Sequence, residues 1–320
     1  MKVNNIVFLS AVLLLFATGA FSQQAECTAD SIKSWLSFLA SNEMKGRNNG
    51  SEEIEKVAAW LSTKYKQYGL KAVGDIKDFV QPYVIDNDTS FIHKNIIGYI
   101  PGKNENDNVI VLSAHFDHIG MSRQPVAGDS IYNGADDNAS GIAVLLAIAK
   151  IFYEQNLKPD CSVVFAAFSN EERNMRGSRY FCDSNVIPIQ NIKLNINFEM
   201  LGRTDEFGKN RYYVTGPNHS NFQDIIVNLN RNNDWEIADA GEIVDRLFRM
   251  SDNYIFVSYA NSLNHCVPAH TVATSVGMSY VHQLHDEVEY IDFENMAGLV
   301  NNLTQLIFHI ASKEVIVHCK

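Results

Sequence analysis

Three short runs rich in apolar and β-branched residues each break off into imidazole and carboxylate groups. Residues 109–114 lead into His115, Phe116, Asp117 and His118, residues 162–168 into Asn170, Glu171 and Glu172, and residues 194–198 into Glu199. Runs this short and this apolar predict strands buried on both faces. A sheet buried on both faces needs helices above and below it. The intervening sequence supplies them. Residues 140–153 are apolar nearly all round and predict an interior helix, and helical periodicity also marks 222–230 and 295–309. Residues 28–70 predict a helical pair. Asp30 or Ser31 would cap its first helix, which buries Trp35, Leu36 and Leu39. A Gly-rich loop follows over 44–51. Ile54, Val57, Ala58, Leu61 and Tyr65 form the second apolar stripe, and Gly69 ends it. Further strands are expected over 95–100, stopped by Pro101 and Gly102, and over 271–276. The fold class is therefore α/β: a largely parallel mixed sheet with helices on both faces. No linker divides residues 23–320, which read as a single domain.

Residues 1–22 have a different character. Lys2 precedes an apolar run from Ile6 to Phe16, and Ala20 and Ser22 are small residues suited to cleavage after Ser22. A signal peptide is expected here, which makes the protein periplasmic or secreted. The run is short for a membrane span, and no other stretch qualifies. The chain is 46% hydrophobic, enough for a sizeable core, and its formal net charge is −11. With no lysine/arginine block, nucleic acid is not an expected partner. The five cysteines, Cys27, Cys161, Cys182, Cys266 and Cys319, leave at least one unpaired. They contain no Cys-x-x-Cys pair, which disfavours a thiolate zinc site.

Ligands of open α/β sheets gather at the carboxyl ends of the strands. Unpaired carboxylates meeting there would raise one another's pKa, and a cation relieves that repulsion. Histidine together with carboxylate suits zinc. Taken singly, each cluster has a plainer structural meaning. His115 would be a hydrogen-bonded core histidine, Glu171-Glu172 a solvated turn, and the acidic block from Gly134 to Gly141 a helix N-terminus. Those meanings weaken because every cluster falls at the same end of its strand.

In order along the chain come Ala114-His115-Phe116-Asp117, Gly134-Ala135-Asp136-Asp137-Asn138-Ala139-Ser140-Gly141, and Glu171-Glu172-Arg173-Asn174-Met175-Arg176-Gly177-Ser178. Asn197-Phe198-Glu199-Met200 and Tyr280-Val281-His282-Gln283-Leu284-His285-Asp286 follow. Together they resemble the di-zinc aminopeptidases of metallopeptidase family twenty-eight. The resemblance covers roughly residues 28–310, including Lys45-Gly46-Arg47 and Asn95-Ile96-Ile97-Gly98.

The resemblance implies two zinc ions per chain. His115 would bind one and Asp137 would bridge both, with Glu172 on the second ion's side, Glu199 opposite it, and His282 completing the set. It implies that Asp117 orients His115, that Glu171 is the general base, and that the Asp137-Asn138 peptide is cis. The substrate implied is a peptide with a free N-terminus. Glu199 stands where many members carry Asp. His285 competes with His282 as a ligand, but the spacing to Asp286 favours His282. His118, His265 and His270 read as structural or supporting residues, and Ser251-Asp252-Asn253 receives no role. Two alternatives share the fold: a single-zinc glutaminyl cyclase and a non-catalytic relative. The complete set of five ligands favours the peptidase. A serine hydrolase is disfavoured, because the chain has no Gly-x-Ser-x-Gly elbow.

Overall fold

A computed structural model describes residues 26–104, 107–312 and 315–320. The expected signal peptide lies outside the described residues. The N-terminal helices are α1 (Ala29–Leu39) and α2 (Glu52–Gln67). The cap of α1 is Thr28, whose side chain accepts the Ser31 N–H. Ser31 is thus the donor rather than the cap. Asp30 sits in the first turn, where the helix dipole favours its charge. Ser51 caps α2 through the Ile54 N–H. Between the two helices, part of the expected loop winds into a 3₁₀ turn, Asn42–Arg47.

The first strands are β1 (Lys71–Ala72), β2 (Val80–Ile85), β3 (Asp88–Ile100) and β4 (Val109–His115). A separate hairpin, β5 (Met121–Val126) and β6 (Asp129–Ile131), precedes α3 (Gly141–Glu154). Then come β7 (Ser162–Phe168), α4 (Arg176–Asp183), β8 (Ile192–Phe198), β9 (Arg211–Val214) and α5 (Phe222–Leu229). The chain continues with β10 (Glu236–Ile237), α6 (Ile243–Leu247), α7 (Asn253–Ser262), β11 (Ala269–Ala273) and α8 (Phe293–Ser312). The run expected over 95–100 is thus the buried end of a longer strand. The one expected over 271–276 starts and stops earlier.

Nine strands form the main sheet, in the order β1-β3-β7-β4-β8-β11-β9-β10, with β2 also paired to β3. β7, β4, β8 and β11 run parallel. β3 and β9 flank them antiparallel. Every residue of β4 is buried, as a central strand covered on both faces must be. Residues of α1, α2, α3 and α8 share one core with one face of the sheet. Residues of α4 and α7 form a second core on the other face. Leu145 of α3 is fully buried, and its truncation to Ala should cost about 2–5 kcal/mol.

A disulfide joins Cys266, just before β11, to Cys319, while Cys27, Cys161 and Cys182 are free. Among the described residues no helix is long and apolar enough to cross a membrane. Because the central strands are parallel, the carboxyl ends of β4, β7, β8 and β11 all lie at one edge. That edge carries the residues singled out by the sequence.

Candidate metal centre

β4 delivers His115 as its last residue. The ladder then continues one step, with the Phe116 N–H on the Phe168 carbonyl at 2.9 Å. β7 ends at Phe168 and the chain turns into Glu171-Glu172 through Asn170, whose φ is 59°. β8 ends at Phe198, directly before Glu199. Asp137 comes from an irregular turn, Ala135–Ser140, entered through Gly134 at φ 59°. The Asp137-Asn138 peptide is cis.

Two side chains pin this turn. Asn138 Nδ2 donates to the Phe198 carbonyl at 2.9 Å, and Asn138 Oδ1 accepts the Gly141 N–H at 3.1 Å. The Asp286 carboxylate accepts the N–H groups of Asp136 and Asp137 at 2.8 and 2.9 Å. Asp286 lies four residues after His282, so the same contact brings the His282 loop to the turn.

Asp137 is the centre of the cluster. Its Oδ1 is 3.3 Å from His115 Nε2, and its Oδ2 is 3.3 Å from His282 Nε2 and 3.8 Å from His118 Nδ1. Glu172 Oε2 lies 2.8 Å from His282 Nε2, and Glu172 Oε1 lies 2.9 Å from His118 Nδ1. Glu199 Oε1 is 3.9 Å from His115 Nε2. Two donor sets result, His115/Asp137/Glu199 and His118/Asp137/Glu172/His282. Within each set one ligand atom per residue lies within 4.8 Å of all the others. The five residues named from the sequence therefore converge.

The histidines sort as follows. His285 is exposed and belongs to neither set, whereas His282 belongs to one. His265 is exposed, and His270 is buried against Ser220 and Thr215, away from the cluster. His118 supports the site as read from the sequence, its Nδ1 lying 2.9 Å from the Glu172 carboxylate, and its ring also falls within one donor set. The available signal was its position three residues after His115 at the end of the same buried strand.

The electrostatics follow from so many acids in one enclosure. Burial raises Glu199 to about 7, against the pull of His115. Burial also lifts Glu171 well above the carboxylate range, with Glu199 and Asp252 adding to the rise and His115 opposing it. Burial acts against the charge on Asp137 too, yet the imidazoles of His115 and His282 hold it well below its usual value. Hydrogen bonds to Asp137 and Glu172 raise His282 to about 10. Protonated imidazoles thus balance the acids, a task that a divalent ion performs with neutral imidazoles. The buried Nε2 atoms of His115 and His118 have no hydrogen-bond partner. Orphaned imidazole nitrogens beside shared carboxylates fit the ligand chemistry of zinc.

Supporting contacts are dense. Asp117 Oδ1 accepts the Glu171 N–H at 3.1 Å, and Oδ2 accepts the Glu172 N–H at 3.3 Å and Asn49 Nδ2 at 2.5 Å. His115 Nδ1 is 3.2 Å from the Asp117 backbone carbonyl and 3.7 Å from its carboxylate. Asp117 therefore orients His115 through its main chain, while its carboxylate fixes the Glu171-Glu172 backbone. Arg47 is fully buried and donates to the carbonyls of Phe116, Leu39, Asn133 and Gly134. Its guanidinium ties the end of β4 to the entrance of the Asp137 turn. Asn197 donates to Glu199 at 3.3 Å and to Ser251 at 2.9 Å. Glu171 belongs to neither donor set. It faces a cavity of about 310 Å³ whose walls include Met200, Tyr213, Leu247, Val276 and Val281.

A parallel sheet with imidazole and carboxylate donors gathered at its strand ends is a frame built to hold metal ions. The chain belongs to Peptidase family M28, whose sequence profile matches residues 95–307. A probable zinc metalloprotease of Pyrenophora teres f. teres is 26% identical over 191 residues, covering 56% of this chain and 40% of that protein. The chain thus spans well under two thirds of that relative's length. The Legionella pneumophila LapA aminopeptidase superposes with a TM-score of 0.69 at 18% identity, covering 89% of this chain and 72% of the other. The Porphyromonas gingivalis glutaminyl cyclase gives 0.63 at 17% identity, covering 88% and 99%. At these identities the structural likeness concerns the fold.

Proposed function

We propose that this chain is a zinc-dependent exopeptidase that removes the N-terminal residue of peptides in the periplasm or outside the cell. The observation that carries this reading is the sharing of Asp137 by two donor sets, with Glu171 free beside them. His115 and Glu199 would hold one zinc ion, and His118, Glu172 and His282 the other. Zinc bound there supplies a Lewis acid for the scissile carbonyl and lowers the pKa of a water molecule.

The protein's own residues do the rest. Glu171 accepts a proton from the attacking water and returns it to the departing amine. The C–N bond breaks, and the products are a carboxylic acid and an amine. Glu171 can act this way because its neighbour Glu172 takes the ligand position. Asp117 holds both glutamates in place through their N–H groups. The N-terminal ammonium of the substrate is attracted to the acidic cluster, and its side chain enters the largely apolar cavity.

The test is hydrolysis of leucine anilide by zinc-loaded protein, by chelated protein, and with the N-acetylated substrate. Turnover that needs both zinc and a free amine is expected. Equal turnover of the acetylated substrate would contradict N-terminal action. Cyclisation of N-terminal glutamine with one zinc per chain would favour the cyclase instead.

A further inference from the structure

Resting on that reading, we propose that Arg246 selects substrates that carry a carboxylate, which it binds at the outer end of the cavity. The cavity is polarised. Its inner end carries the carboxylates of Asp137, Glu171, Glu172 and Glu199. Its outer wall is formed by α6 and the neighbouring chain, with Ile243, Leu247, Met250 and Met278 among the lining side chains. Arg246 is the single lysine or arginine that lines it.

Arg246 is exposed at the rim of the cavity, and among the described residues its guanidinium has no carboxylate within 4.0 Å. Arg176, Arg203 and Arg211 each hold an acid, and none of them lines the cavity. Arg47 is satisfied by four carbonyls. The guanidinium is a planar fork of donors that fits a carboxylate, and it is the cavity's one lysine or arginine side chain. A ligand with its amine at the acidic end and a carboxylate toward α6 matches the charge at both ends.

The carboxylate has two possible sources, the acidic side chain of the N-terminal residue or the free C-terminus of a short peptide. Two matched pairs distinguish them: glutamate anilide against glutamine anilide, and Leu-Gly-Gly against its C-terminal amide. Binding is measured by calorimetry on zinc-loaded protein carrying Glu171→Gln, with Arg246 intact or replaced, and kcat/KM is measured with Glu171 restored. In at least one pair the acid should be preferred by about tenfold. That preference should fall toward unity in Arg246→Gln, reverse in Arg246→Glu and survive in part in Arg246→Lys. The responding pair identifies the source.

Acid-to-amide ratios that are the same in all four proteins would overturn the proposal, as would an absence of measurable binding by every ligand. If binding discriminates through Arg246 while no substrate is cleaved, the exopeptidase reading fails and the role of Arg246 stands.

Discussion

Asp286 holds Asp137 by the backbone, its Oδ2 accepting the Asp137 N–H at 2.9 Å. Its Oδ1 takes the preceding N–H of Asp136, and its own carbonyl takes that of Ala135. Three consecutive donors of the turn that aims the shared carboxylate therefore end on one residue. Among the described residues no contact links Asp286 to a ligand atom of either donor set, so it acts on metal binding through the backbone it holds and through its buried charge near Asp137 and His118.

Asp286→Ala should weaken zinc binding by roughly 10–100-fold, the usual cost of losing a partner that orients a ligand. It should also destabilise the metal-free protein by about 1–3 kcal/mol, because two buried N–H groups lose their acceptor. Competition with a chromophoric chelator reads the first effect and urea unfolding the second. Unchanged zinc affinity would remove Asp286 from this role.

Glu171→Gln preserves shape and leaves both donor sets intact. Turnover should fall by roughly 10²–10⁴, the typical contribution of a general base, while zinc content is unchanged. Metal analysis beside steady-state kinetics separates the two. Loss of zinc in this variant would mean that Glu171 is a ligand and not the base.

Arg47→Met keeps much of the side-chain volume but strands four buried carbonyls. A loss of about 3 kcal/mol or more is expected in metal-free unfolding. Since Phe116 follows His115 and Gly134 opens the Asp137 turn, zinc affinity should fall as well. A variant as stable as the parent would show that water replaces the guanidinium without cost.

His270 gives the acid limb of the stability curve a specific origin. Its Nδ1 lies 2.8 Å from the Thr215 carbonyl, which can only accept, so Nδ1 carries the proton. Nε2 then accepts from the Ser220 hydroxyl at 2.6 Å. The neutral ring is satisfied, and burial pushes its pKa down to about 4. The unfolded chain takes up a proton near pH 6.5, before the folded one does. The stabilising contribution is thus complete above pH 6.5 and is lost as pH falls from there to about 4. The loss amounts to about 3 kcal/mol. His270→Gln should flatten the decline in unfolding free energy across that window. The same slope in both proteins would assign the acid limb to other groups.

Much of this site could be read from the sequence because its elements are extreme. β4 and β7 are so apolar that only a central position in a sheet suits them, and each ends at its donors. α3 was legible for the same reason. The elements that escaped notice lack such contrast. The outer half of β3 is largely exposed and follows no clean alternation, because it pairs with β2 alone beyond the sheet. β10 has two residues, too few for any pattern. The place of His118 at the same strand end as His115 was legible, but the two chain reversals that bring Asp137 and Glu172 to its ring leave no mark at position 118. Arg47 and Asp286 were visible only as motif letters, since their work is done on main-chain groups that no side-chain pattern announces. The cap of α1 moved by a few positions because Thr28, Asp30 and Ser31 all have side chains able to cap, and only the backbone path decides among them.

The central claim is that one aspartate bridges two metal ions. Diffraction at the zinc edge from zinc-loaded crystals tests it most directly. Two anomalous peaks about 3.5–4 Å apart are predicted, one beside His115 and Glu199, the other beside His118, Glu172 and His282, with a different oxygen of Asp137 on each. A single peak at full zinc loading, or a pair of peaks that Asp137 does not join, would contradict it.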